Sequence, residues 1–166
     1  MTISVTLDTN CFFDYFERDP VLIEKLIELS EEGSAEIFMT TRVMTDTHDK
    51  WKGGGTSPIW AKIQSFPQLS KTVGTVFRLN SSRLDSGDYL VSDSEAKLIN
   101  ELEYLMTSAP TEDVDHLFGQ MKKGNDFFIT NDKHFLDYKK DLKNDYGVSV
   151  VTPEDAIKEI NKLLHE

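Results

Sequence analysis

The chain has a single cysteine, Cys11, among its 166 residues, so no disulfide can close within it and a cysteine-rich zinc site is excluded. Long apolar runs are missing as well. No stretch approaches the roughly 20 residues of a membrane-spanning helix. The opening Met1-Thr-Ile-Ser-Val-Thr-Leu-Asp8 has neither a basic start nor an apolar segment of signal-peptide length. A cytoplasmic location without membrane contact is therefore expected. There is no Gly-rich loop of the P-loop type and no Gly-x-Ser-x-Gly elbow, and Cys11 has no evident His and Asn partners. These absences remove the common phosphate-cradling and covalent-nucleophile chemistries.

Positive charge is also scarce. Eighteen Lys and Arg stand against 29 Asp and Glu, a net charge of −11, which opposes strong non-specific binding to nucleic acid because phosphate contacts need cations. The charge is unevenly spread. From His48 to Arg83, Asp49 faces Lys50, Lys52, Lys62, Lys71, Arg78 and Arg83, so this segment is +5 and the remainder −16. Acids that ligate a metal would have their charge offset by the ion.

What is present reads as one domain over residues 1–166, with about 48–92 a loop-rich excursion. Ile3-Ser-Val-Thr-Leu7 alternates as a strand does. Leu22, Leu26 and Leu29, with Ile23 and Ile27 beside them, predict a helix from about Pro20 to Ser30, ended by Gly33. Glu36–Thr40 reads as a second strand and Thr41–His48 as a helix start. Lys50–Pro58 is a loop by composition, and Thr75–Leu79 a weak strand. Ser94 is expected to cap a helix bearing Leu98, Leu102 and Leu105, and Thr111 another bearing Val114, Leu117, Phe118 and Met121. Phe127–Thr130 is a short apolar strand, followed by a helix over Lys133–Lys143, a strand over Val148–Val151 and a last helix opened by Thr152 and Pro153. Strands alternating with helices predict an α/β fold, a three-layer α/β/α sandwich around a parallel sheet.

In such sheets, sites form at the carboxyl ends of strands. Asp8 and Asp132 sit at two such ends. Asp46 falls early in the helix after the second strand, and Asp113 in the first turn of the helix that feeds the Asp132 strand. Converging carboxylates repel unless a cation neutralises them, and hard oxygen ligands suit Mg²⁺ or Mn²⁺. By position alone, however, these acids read more readily as turn and helix-start residues. His116, in the middle of a helix, reads as a hydrogen-bonded core group rather than a phosphate contact, and Asp126 as a residue that orients the strand start. Trp51 and Trp60, interleaved with Lys50, Lys52 and Lys62, read either as an RNA-binding surface that stacks bases and contacts phosphates, or as a loop packed on the body. Phe12 and Phe13 read as core.

Val5-Thr-Leu-Asp8-Thr-Asn10 resembles the opening of PIN domains, a hydrophobic strand ending in Asp-x-Asn. Asp113-Val-Asp-His116-Leu117, then Gly124-Asn-Asp126-Phe-Phe-Ile-Thr130-Asn131-Asp132, resembles the family's later block without a gap. The resemblance covers under a quarter of the chain. It implies a PIN-like fold and a divalent-metal-dependent endoribonuclease acting on RNA. Asp8, Asp113 and Asp132 would be the metal-binding acids, with Asn10 and Thr130 as supporting groups. Asp115 is the rival to Asp113, which keeps His116, Gly124 and Asp126 in register. Asp46 stands where the family usually has Glu, and Arg42 lies one turn before it. The resemblance also admits a VapC-type toxin held by an antitoxin, and a PIN-like binding module that has lost activity. A protein partner or a second copy of the chain is compatible with all three.

Overall fold

The computed structural model describes residues 2–77 and 87–165. Five strands form one all-parallel sheet: β1 (Ile3–Leu7), β2 (Ala35–Thr40), β3 (Thr72–Val73), β4 (Phe127–Ile129) and β5 (Val150–Val151). Their order is β3-β2-β1-β4-β5. The chain therefore builds outward from β1 on one side, then returns to add β4 on the other. The carboxyl ends of β1 and β4 flank the point where the order reverses, which is where open α/β sheets place ligands.

Helices cover both faces, as expected for a three-layer α/β/α sandwich. On one face lie α1 (Thr9–Glu17), α2 (Val21–Glu31) and α9 (Pro153–His165). Ile3, Val5 and Leu7 of β1 point there, into a core with Phe12, Leu26, Ile37 and Ile160. The opposite face holds α5 (Asp93–Leu105) and α6 (Thr111–Lys123), with Leu102, Leu117 and Phe118 packed against Phe128. The period of two in β1 thus assigns its apolar residues to the first core. Its polar residues face the other way, where each finds a partner. Ser4 Oγ donates to Asp126 at 2.7 Å, and Thr6 Oγ1 accepts from Asn125 Nδ2 at 2.8 Å.

Between β2 and β3 run α3 (Arg42–Lys50) and α4 (Pro58–Gln64), then a 3-10 turn at Pro67–Leu69. Helix α4 has Ser57 as its cap and Pro58 at its first position, a legible start that composition obscured. Helix α1 is likewise not anticipated by the apolar pattern, although Asp8 caps it and Thr9, Cys11, Phe12 and Tyr15 bury at helical spacing. The expected strand over Thr75–Leu79 lies partly outside the described residues. The pairing at this sheet edge is instead made by Thr72–Val73, with one isolated bridge between Val76 and Tyr89.

Boundaries also shift, β4 ending at Ile129 and β5 beginning only at Val150. Ser92, not Ser94, caps α5, because Glu95 three residues on completes a reciprocal capping box. Pro110 takes the extended cap position of α6 and Thr111 becomes its first residue. The helix expected over Lys133–Lys143 breaks at Asp137 and Tyr138 into α7 (Lys133–Leu136) and α8 (Lys139–Tyr146). Gly124 ends α6 in the left-handed conformation (φ 71°), which glycine adopts without a Cβ penalty. Among the described residues, no helix is long and apolar enough to cross a membrane.

Candidate metal centre

Asp8 leaves β1 with extended backbone and caps α1, accepting from the Thr9 amide at 2.7 Å. Its second oxygen accepts from Thr130 Oγ1 at 2.8 Å. Thr130 follows β4, so this bond joins the ends of the two strands at the reversal point. The same hydroxyl accepts from the Asp132 amide at 2.9 Å, which turns the chain into α7. Asp132 caps α7 through the His134 amide and accepts from Asn10 Nδ2 at 2.8 Å. Asn10 and Thr130 therefore hold Asp132 and Asp8 in place.

Asp8, Asp46, Asp113 and Asp132 line one cavity of about 340 Å³, together with Arg42, His116 and His134. Asp115 is buried on α6 and is not among the residues lining it. On one wall, Asp113 and Asp132 face each other across His134. Single ligand atoms of these three residues all lie within 4.8 Å of one another, a set that leaves Asp8 out. His134 Nδ1 is 3.3 Å from Asp113 Oδ2 and 3.6 Å from Asp132 Oδ1. Asp113 Oδ2 is buried yet accepts no hydrogen bond. Burial, reinforced by the charges of Asp8 and Asp132 against the opposing pull of His116 and His134, raises the Asp113 carboxyl from its ordinary 3.8 to about 6. Burial also raises Asp8, despite His116 nearby and the bonds from Thr130 and Thr9.

The other wall is differently made. One Asp46 oxygen accepts from Thr9 Oγ1 at 2.8 Å and lies 3.0 Å from His116 Nε2. The other accepts from Arg42 at 3.1 Å. Arg42 is buried, with Glu112 3.8 Å away. Burial alone would raise the Asp46 carboxyl, but His116, Thr9 and Arg42 together hold it below the usual range. His116 Nδ1 meets Thr40 Oγ1 at 2.6 Å. Burial would lower this imidazole, whereas the hydrogen bond to Asp46 and the charges of Asp8, Asp46 and Asp113 raise it. The histidine is fully partnered, as its sequence position suggested, and it is also a wall of the site. A Cβ on Gly119, one turn along α6, would sit 2.9 Å from the Gly74 carbonyl and 3.4 Å from the Thr40 methyl. The bare glycine lets α6 approach the end of β2 closely enough for the His116–Thr40 contact.

A larger cavity of about 670 Å³ adjoins the first, sharing Asn10, Lys50 and Asp132 and adding Phe13, Arg18 and Lys133. Lys50 stands at the junction, its ammonium 4.2 Å from the centre of the Phe13 ring. The remaining loop residues divide. Trp51 is 42% exposed and lies over Gly53, and Lys52 is exposed. Trp60 instead packs against the core, and Lys62 lies over Phe16 at 5.3 Å. Arg78 and Arg83 of the positive segment fall outside the described residues.

The residue that sequence reasoning missed is His134. It follows Asp132 by two positions, a spacing that could have drawn notice, but its approach to Asp113 depends on how α7 meets α6. No protein-family model matches this chain, and no curated protein matches it.

Proposed function

We propose that this protein is a divalent-metal-dependent endoribonuclease of PIN-like type, with Mg²⁺ or Mn²⁺ as cofactor and an RNA phosphodiester as substrate. The observation that carries the reading is the Asp113–Asp132 wall beside Asp8: carboxylates that repel one another, with a buried Asp113 oxygen lacking a hydrogen-bond donor. A cation supplies what that wall needs, so the donor set fits a hard divalent ion. Asp113 and Asp132 would hold it, with Asp8 behind them. When bound, such an ion activates water and offsets charge on the phosphoryl group and the leaving oxygen.

The chain's own groups have definite parts in this scheme. Thr130 and Asn10 fix the two strand-end carboxylates, so little reorganisation accompanies binding. Arg42 pairs with Asp46 at the cavity wall, which lowers the repulsion that this acid would otherwise exert on an approaching phosphate. Lys50, at the junction with the larger cavity, is the cation best placed to meet an adjacent phosphate of the same strand. Preference for RNA over DNA comes from the family resemblance alone.

The test is cleavage of structured and single-stranded RNAs by purified protein with Mg²⁺, with Mn²⁺ and with chelator. Cleavage that needs the ion and disappears in Asp132→Asn supports the assignment. Cleavage that persists unchanged in Asp8→Asn and Asp132→Asn sinks it.

One observation favours a second reading, a PIN-like module that binds without cutting. Asp46 stands where the resemblance expects Glu, and its oxygens are already engaged by Thr9, His116 and Arg42. Metal binding without cleavage of any RNA would select this reading. The toxin reading rests on the resemblance alone. Growth arrest on expression, relieved by Asp8→Asn, would select it.

A further inference from the structure

We propose that His134 is a nitrogen ligand of the metal, so that the centre is a mixed carboxylate–imidazole site favouring a first-row transition ion such as Mn²⁺ over Mg²⁺. The proposal deepens the metal-site reading above and rests on it. Three geometric facts carry it. His134 Nδ1 is the atom turned toward both acids, at 3.3 Å from Asp113 Oδ2 and 3.6 Å from Asp132 Oδ1. His134 belongs to the set of residues whose ligand atoms fit within 4.8 Å of one another, whereas Asp8 does not. Its facing Asp113 oxygen is buried and accepts no hydrogen bond, so the imidazole lies against that oxygen without satisfying it.

Position supports the same assignment. His134 is the second residue of α7, and its backbone amide donates to Asp132 Oδ1 at 2.9 Å. The capping bond that orients the acid therefore also fixes the backbone from which the imidazole extends. The side chain is 43% exposed, so an ion can reach it from solvent. His116 also faces two acids, Asp46 at 3.0 Å and Asp8 at 3.9 Å, but it is buried, and both ring nitrogens already meet Asp46 and Thr40. One neutral imidazole beside two carboxylates shifts preference away from Mg²⁺, which prefers oxygen and retains its water, toward ions that accept nitrogen.

The experiment uses the full chain and needs no RNA. Mn²⁺ and Mg²⁺ are titrated by calorimetry into wild type and His134→Ala. The Mn²⁺ complexes are then examined by pulsed electron paramagnetic resonance for nitrogen coupling. The metal-free melting temperatures establish that the variant folds. The expected result is tighter binding of Mn²⁺ than Mg²⁺ by wild type, and directly coupled nitrogen in its Mn²⁺ complex. In His134→Ala the coupling disappears and Mn²⁺ affinity falls roughly tenfold or more, with Mg²⁺ affinity changed far less. Bound Mn²⁺ without nitrogen coupling in wild type, or with coupling that survives in His134→Ala, overturns the assignment while leaving the carboxylate site intact. Failure of millimolar Mn²⁺ to bind wild type at all overturns both this proposal and the metal reading beneath it.

Discussion

The two walls of the central cavity use the same residue types to opposite ends. Asp46 finds fixed partners: Arg42, the His116 imidazole and the Thr9 hydroxyl converge on its carboxylate and hold it ionised. Around Asp113 the acids face one another, burial raises the carboxyl to about 6, and a buried oxygen has no donor. The lesson is that a cluster of acids does not by itself mark a metal site. What matters is whether the fold already supplies the countercharge. On that criterion the Asp113–Asp132 wall is the less compensated of the two, and Asp46 the more fully paired.

The sharpest way to break the comparison is catalytic. Asp132→Asn is expected to reduce metal-dependent RNA cleavage roughly a thousandfold, the scale of losing a principal electrostatic group. A single-turnover cleavage assay checks this, and activity within a few-fold of wild type would put the ion elsewhere. The next effect falls on the other wall. Asp46→Ala leaves Arg42 and His116 buried without their partner and should cost about 3 kcal/mol in urea unfolding. A loss no larger than that of an exposed ion pair would mean that Asp46 is not the centre of a buried network.

Asp113→Asn should do the reverse in metal-free protein. The folded carboxyl titrates near 6 and the unfolded one near 3.8, so the penalty for ionising it is absent below pH 4. It grows between pH 4 and 6 and is complete above. The variant should thus be more stable than wild type at pH 7.5 by about 1 kcal/mol, allowing for solvent screening and coupling to its neighbours. The gain should vanish at pH 3.5, and Mn²⁺ should no longer raise the melting temperature. Equal stability at both pH values would remove the argument from repulsion. The smallest effect is expected from Thr40→Val, which withdraws the hydroxyl from His116 Nδ1. A loss of about 1 kcal/mol with unchanged Mn²⁺ affinity would separate the Asp46 wall from the Asp113–Asp132 wall. A large fall in Mn²⁺ affinity would show them to be one unit.

Much of this was legible from the chain. The alternation in Ile3–Leu7 and the apolar run Phe127–Ile129 locate the two strands that frame the site, and Asp8 and Asp132 follow each within a few residues. Helix α1 escaped because a capping Asp and a run of aromatics resemble a strand end followed by core, although the burial spacing is helical. The Lys50–Trp60 region was divided only by packing: composition cannot tell that Trp51 is exposed while Trp60 packs, partly buried, against the core. Asp115 and Asp113 are two residues apart on one helix. Their register against the later motif preferred Asp113, which the cavity lining then includes.

Local pattern determined four of the five strands, most of the helices and the parallel arrangement, because alternation, caps and apolar stripes act over a few residues; α1, α4 and the edge strand β3 were not read from it. It also put Asp8 and Asp132 at strand ends. Only the tertiary structure decided which acids are compensated. Arg42 meets Asp46 within α3, one turn away, but the approach of His116 to Asp46, and of His134 to Asp113, depends on how helices from separate parts of the chain pack over the strand ends. Electrostatic partnership acts across distances of a few ångströms in space; helical spacing encodes it for Arg42 and Asp46, but no spacing along the sequence encodes the contacts of His116 and His134.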